Sequence, residues 1–176
     1  FDSLLEVIIL YKSEPSYLII MERKLIIRNF GAIASADIAL KDFNIFIGEQ
    51  GAGKSTVAKL ITIFENSRDK VLKVDSDYLM TKFSEYNIIS YFNPDSYISY
   101  SSEQGDITYE DGSFNFTFSY HSTSHNLYIP AERFFISTFS RSIATLVLSK
   151  APIPVTLLEF ASFYEKAKNL FVNRSE

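Results

Sequence analysis

The stretch IFIGEQGAGKSTVAKLI, Ile45 to Ile61, gathers three of the chain's six glycines, Gly48, Gly51 and Gly53, directly before Lys54, Ser55 and Thr56. Glycine is placed where backbone must bend sharply or come close to something, because it has no Cβ to obstruct either. Upstream, Phe43 to Ile47 is a short apolar run that reads as a strand. Downstream, Val57, Leu60, Ile61 and Phe64 recur at i, i+3, i+4 and i+7, one face of an amphipathic helix. The glycines therefore sit in a turn from strand to helix.

Gly48 to Ser55 also has the P-loop spacing, two glycines four residues apart followed by Lys and Ser. In such a loop small residues let consecutive backbone N–H groups turn inward around a β-phosphate, and the helix that follows adds its unpaired N–H groups and positive dipole end. On this reading Gly48, Glu49, Gln50, Gly51, Ala52 and Gly53 cradle the phosphates. Lys54 bridges β- and γ-phosphate oxygens and is the candidate catalytic residue. The Ser55 hydroxyl is the candidate metal ligand, for Mg²⁺, and Thr56 reaches the α-phosphate. The plainer alternative is a glycine-rich turn with an incidental lysine; the flanking strand and helix weigh against it.

Working outward, residues 24–30, 36–40 and 43–47 read as three strands of an antiparallel meander that leads into the loop. Residues 71–90 read as a second helical region, with Val71, Leu72, Val74, Leu79 and Phe83 partly periodic. Tyr97 to Tyr100 predicts a strand. In ITYEDGSFNFTFSY, Asp111-Gly112 supplies the positive φ of a tight hairpin, and Phe114, Phe116, Phe118 and Tyr120 alternate with polar residues as in a half-buried strand. Sheet core is a better account of that stripe than a base-stacking surface. NLYIP, to Pro130, predicts one more strand. Ile136, Phe139, Ile143, Leu146 and Val147 keep helical spacing to about Ser149, and Pro152 and Pro154 stop that helix. Thr156 to Glu159 has the form of a capping box opening a last helix.

The 176 residues fit one domain, and 47% apolar residues with 15% aromatics suffice for a core. With no cysteine and two histidines, disulfide frameworks and thiolate or histidine-built zinc centres are excluded. The net charge of −4 recruits no nucleic acid globally, and no Lys or Arg occurs between Lys82 and Arg133. Residues 1–20 carry the apolar runs LLEVIIL and YLII. Both are too short to span a bilayer and are broken by Glu6, Lys12, Glu14 and Pro15. With Met21 opening MERKLIIRNF, residues 1–20 are read as a non-native or upstream extension, and the expected location is cytoplasmic, with no membrane association.

Hydrolysis needs more than a P-loop: an acidic residue at a strand end to hold the metal's water shell, with a carboxylate to activate water. No run of four apolar residues closed by Asp follows the loop. VLKVD, ending at Asp75, is broken by Lys73, and TLLEF around Glu159 reads as helix. An Asn-Lys-x-Asp motif for a GTPase is absent, and the arginine-free stretch 83–132 argues against a small P-loop kinase with its arginine-rich lid.

LIIRNFGAIASADIALKDFNIFIGEQGAGKSTVAKLI resembles the N-terminal half of ABC-type ATPase heads of the SMC/RecF and OLD-like kind, bacterial AAA-family ATPases. The resemblance resumes more weakly at YIPAERFFIS, Tyr128 to Ser137. It implies an α/β P-loop NTPase fold, with residues 21–176 as an N-terminal lobe cut before the signature and acidic strand motifs, an incomplete domain. It implies ATP and Mg²⁺ as cofactors, Gly48 to Thr56 as the phosphate-binding residues, and a homodimer of heads in the longer protein. DNA contact would run through regions beyond this chain. Arg28, Asn29 and Phe30 fall where the early strand of such heads approaches the nucleotide, although Phe30 suits the core equally. Glu132 and Arg133 fall near the γ-phosphate edge, or are a helix-terminal Glu and a surface ion pair. No LSGGQ-like signature and no coiled coil is present, so the isolated chain is expected to bind ATP and hydrolyse it little. The competing readings are a catalytically inactive regulatory module and a small kinase.

Overall fold

The computed structural model describes residues 8–11, 23–67, 75–103, 105–118, 126–130, 148 and 152–172. The chain divides into two compact units, Phe1–Asn126 and Leu127–Glu176. In the first, the strands are β1 (Ile8–Tyr11), β2 (Arg23–Phe30), β3 (Ile33–Leu40), β4 (Phe43–Phe46), β5 (Tyr97–Ser102), β6 (Gly105–Glu110) and β7 (Ser113–Phe118). The helices are α1 (Lys54–Ser67) and α2 (Ser76–Glu85), and a 3-10 turn spans Ile89–Tyr91. The second unit holds α3 (Val155–Val172).

Five strands form one antiparallel sheet in the order β3-β2-β5-β6-β7. Its period-2 patterning is visible in burial. Leu25 and Ile27, Ile98 and Tyr100, and Ile107 and Tyr109 are buried on one face, while Lys24, Ser99, Ser101 and Thr108 alternate with them on the more open one. That inner face is covered by helices: Phe64 of α1 lies 5.7 Å from the Tyr100 ring, and Phe83 of α2 lies 5.9 Å from Phe30 and 5.7 Å from Phe114. The sheet's inner strands and α1 thus share one aromatic core. The Asp111-Gly112 turn closes β6 on β7 with φ of 50° and 79°, the two positive values a two-residue hairpin requires. Phe114 is buried, so the aromatic stripe is sheet core at that position, and Tyr120 lies outside the described residues.

β4 does not continue a meander from β3, as expected, but pairs antiparallel with β1 in a separate two-stranded sheet, Ile8 opposite Phe46 and Tyr11 opposite Phe43, so part of the segment before Met21 is a strand beside the one that feeds the loop. All of α1 except Ser55, Lys59 and Asn66 is buried, more than the single apolar face expected. Its buried Thr62 and Ser67 hydroxyls donate back to the carbonyls of Ala58 and Ile63, at 2.9 and 2.6 Å, and so enter the core satisfied.

Several boundaries depart from expectation. β3 starts at Ile33 rather than residue 36, because Ile33 pairs with Phe30 across the two-residue turn Gly31-Ala32. The second helical region narrows to α2, opened by the Asp75 side chain accepting from the Tyr78 N–H at 2.9 Å, while Val71, Leu72 and Val74 lie outside the described residues. NLYIP is not a strand. The Asn66 side chain takes both main-chain groups of Asn126, donating to its carbonyl at 2.8 Å and accepting its N–H at 2.7 Å, in place of a ladder. The capping box also fails. α3 begins at Val155, and the Pro154 carbonyl accepts from the Leu157 and Leu158 N–H groups at 3.0 and 3.2 Å. Pro154 is therefore the cap and Thr156 is already helical; a proline at the start of a helix forfeits no hydrogen bond, having no N–H. The helix expected over 136–149 lies outside the described residues, apart from Leu148, which is helical.

Candidate functional site

The loop between β4 and α1 has an exposed rim, Glu49 to Ala52, and a buried base, Gly53 and Lys54. The rim is turned by a hydrogen bond from the Ala52 N–H to the Glu49 carbonyl at 3.2 Å. Gly51 and Gly53 have φ of 82° and 89°, values that L-residues seldom adopt. Gly48 does not need a positive φ; Ala52 Cβ and Lys54 Cδ would stand 3.7 and 4.0 Å from a Cβ placed there.

Lys54 is the first residue of α1 and is 6% exposed. Its side chain folds back under the loop, and Nζ donates to the Gly48 carbonyl at 2.9 Å and the Glu49 carbonyl at 2.6 Å. An ammonium is thus held at the mouth of the loop from which the helix springs. The first regular helical bond runs from Val57 N–H to the Gly53 carbonyl at 3.0 Å, so the main-chain N–H groups of the first turn precede any helical acceptor. α1 has no acidic residue in that turn, and its positive end is not neutralised by its own sequence. Ser55 is half-buried on the first turn and Thr56 is buried beside it. One ammonium, a helix N-terminus, two positive-φ glycines and a hydroxyl converge on one loop, a donor-rich arrangement without a carboxylate in the helix's first turn.

The residues carried over from the early strand have other employment. Arg28 donates to the carbonyls of Ile27 and Ala36, at 2.9 and 3.0 Å, and pairs with Asp37 at 2.8 Å across the β2–β3 hairpin. Asn29, with φ of 49°, donates to the Asp95 carbonyl at 3.3 Å, and its own carbonyl accepts from Asn93 and Ser96 at 2.5 Å each. Phe30 is fully buried. These three build the hairpin and its dock onto the 93–96 turn. Glu132 and Arg133 lie outside the described residues.

Sequence reading overlooked Glu65. It is buried on α1, three turns beyond the loop, where Oε1 accepts from the Tyr100 hydroxyl and pairs with Arg23 Nη1 at 3.3 Å. Arg23 also donates to the Lys41 carbonyl at 3.1 Å. The acid ties the helix to β2 and β5, a tertiary pairing with no local signal. Among the described residues no group of three or more His, Asp or Glu side chains stands ready to hold a metal. No described helix is long and apolar enough to cross a membrane.

A family model described as an AAA ATPase domain matches residues 21–168, from Met21 through most of α3. Neither a curated protein nor a solved structure gives a significant match.

Proposed function

We propose that this chain, which belongs to the AAA ATPase domain family over residues 21–168, binds ATP with Mg²⁺ at the loop Gly48 to Thr56. The observation that carries the reading is Lys54, buried at the start of α1 with its ammonium on the Gly48 and Glu49 carbonyls, so that the loop is already wrapped about a cation. A triphosphate offers that ammonium stronger, charged acceptors than two neutral carbonyls. The first-turn N–H groups of α1, which precede any helical acceptor, and its uncompensated positive end favour the same anion. Ser55 suits Mg²⁺, which takes few protein ligands and keeps phosphate oxygens and waters for the rest. When bound, the metal neutralises developing charge on the phosphates. The protein's share is to orient the chain of phosphates and to set Lys54 against the terminal two.

The resemblance of Lys24 to Ile61 to SMC/RecF and OLD-like heads supports a finer proposal. The intact protein works as a pair of ABC-type heads, with the second head completing the site and DNA engaged away from residues 83–132, where no Lys or Arg occurs. Turnover by these residues alone is slow, because no run of four apolar residues closed by Asp follows the loop in the sequence. That deficit also favours a second reading, a nucleotide-binding regulatory module without turnover.

Titration with Mg·ATP tests the site. Lys54→Ala is expected to weaken binding by about tenfold or more, the value of a hydrogen bond between charged groups, and Ser55→Ala to remove most of the Mg²⁺ dependence. Equal affinity in wild type and Lys54→Ala overturns the proposal. Turnover appearing on mixing with a longer form of the protein favours the paired heads over the inactive module.

A further inference from the structure

We propose that Ile33, the first residue of β3, is a positioning residue for the phosphate loop, setting the height at which Lys54 and Ser55 are presented. The proposal rests on reading that loop as a nucleotide site.

Gly53 is the buried base of the loop, at φ of 89°, and it is pressed onto Ile33. A Cβ at Gly53 would stand 2.5 Å from Ile33 Cγ1, closer than such carbon atoms approach, and 3.0 Å from Cδ1, a tight contact. The missing side chain of Gly53 is therefore replaced by the side chain of Ile33, which is itself 7% exposed. By contrast, Gly51 has nothing within 4 Å of a Cβ placed on it. Of the loop's three glycines, only Gly53, which joins Lys54, is packed against a residue outside the loop.

Ile33 is held from behind. It pairs with the fully buried Phe30 across the Gly31-Ala32 turn. Gly31 N–H donates to the Tyr91 carbonyl at 3.1 Å, and a Cβ on Gly31, whose φ is 57°, would meet the Tyr91 ring at 2.6 Å. The turn is thus wedged between the 3-10 turn on one side and the phosphate loop on the other. A branched, stiff side chain suits such a spacer, since Ile has few rotamers through which to give way. Shortening it lets the loop settle toward the gap. Small displacements of groups that bind in a fixed geometry cost affinity well out of proportion to the atoms removed.

A graded series tests this: Ile33→Val, which loses Cδ1 and keeps Cγ1, and Ile33→Ala, which loses both. The comparison is Ile107→Ala, a buried isoleucine of β6, separated from β3 by β2 and β5, whose truncation is expected to cost stability on a similar scale. Mg·ATP affinity and melting temperature are read on each, with Lys54→Ala alongside. The expected affinity losses are about threefold for Ile33→Val and about tenfold or more for Ile33→Ala. Ile107→Ala loses melting temperature and binds as wild type does. Should Ile33→Ala fail to fold, Ile33→Val still reads the effect. Affinity unchanged along the Ile33 series, or lost in proportion to melting temperature in all three variants, overturns the positioning role while leaving the Lys54-dependent site intact. A wild type whose binding does not depend on Lys54 overturns the site itself, and this role with it.

Discussion

The loop that leads into α1 and the hairpin of β6 and β7 both turn on glycines of positive φ, yet the two regions use them differently. At the hairpin, Gly112 has φ of 79° and nothing within 4 Å of an added Cβ, so conformation alone requires it. At the loop, Gly53 has φ of 89° and Ile33 beneath it. There the conformation and the contact both require it. The hairpin is a local object, with its register set by Asp111-Gly112 and the alternation of Phe114 and Phe116. The loop is a tertiary object, whose shape is fixed by residues twenty positions upstream. Mutations should therefore report contact in one region and backbone preference in the other.

Gly53→Ala is expected to have the largest effect. Backbone strain at that φ and overpacking against Ile33 add, for a loss of about 4 kcal/mol in stability, with nucleotide binding lost as well. Urea unfolding measures the first and titration the second. A loss no larger than that of an ordinary positive-φ glycine means that Ile33 is not a rigid floor.

The next effect lies at the far end of α1. Glu65→Ala leaves Arg23 and the Tyr100 hydroxyl without their shared acceptor in a buried setting, and is expected to cost about 3 kcal/mol. Glu65→Gln keeps an oxygen for Tyr100 and loses the charge facing Arg23, so it should cost clearly less. Thermal unfolding of the two variants separates the hydrogen bond from the ion pair. Equal melting temperatures in Glu65→Ala and wild type would remove the clamp between helix and sheet from the account.

What was legible in the sequence follows the same division. β2, β4, β5 and the β6–β7 hairpin are local patterns of alternation punctuated by turn residues, and the fold repeats them closely. The turn from β4 into α1 was legible as glycine spacing between a strand and a helix, because a sharp change of chain direction constrains consecutive residues. Ile33 to Ser35 escaped because Ala34 and Ser35 carry little strand signal, and only pairing with β2 makes them strand. NLYIP misled because an apolar run says nothing of whether a partner edge is present, and Asn66 takes the main chain of Asn126 instead. Thr156 misled by two residues, since the helix start is set by the Pro154 carbonyl and not by the hydroxyl. Glu65 and Ile33 act only through residues distant in sequence, Arg23, Tyr100 and Gly53, and no pattern on one segment encodes such a pairing.

The finest test is Gly51, which lies in the loop but is packed like the hairpin glycine. If location in the loop sets the cost of substitution, Gly51→Ala should resemble Gly53→Ala. If contact sets it, Gly51→Ala should resemble Gly112→Ala, because both positions have φ near 80° and open space where a Cβ would go. The second outcome is expected, a loss of about 1 kcal/mol in unfolding free energy for each. Affinity then separates what stability does not: only the Gly51 variant sets a methyl group on the rim where phosphate is proposed to sit. Gly112→Ala should bind Mg·ATP as wild type does, while Gly51→Ala binds more weakly at unchanged stability relative to it. Equal affinity in the two variants would place the phosphates deeper, against Gly53 and Lys54 alone.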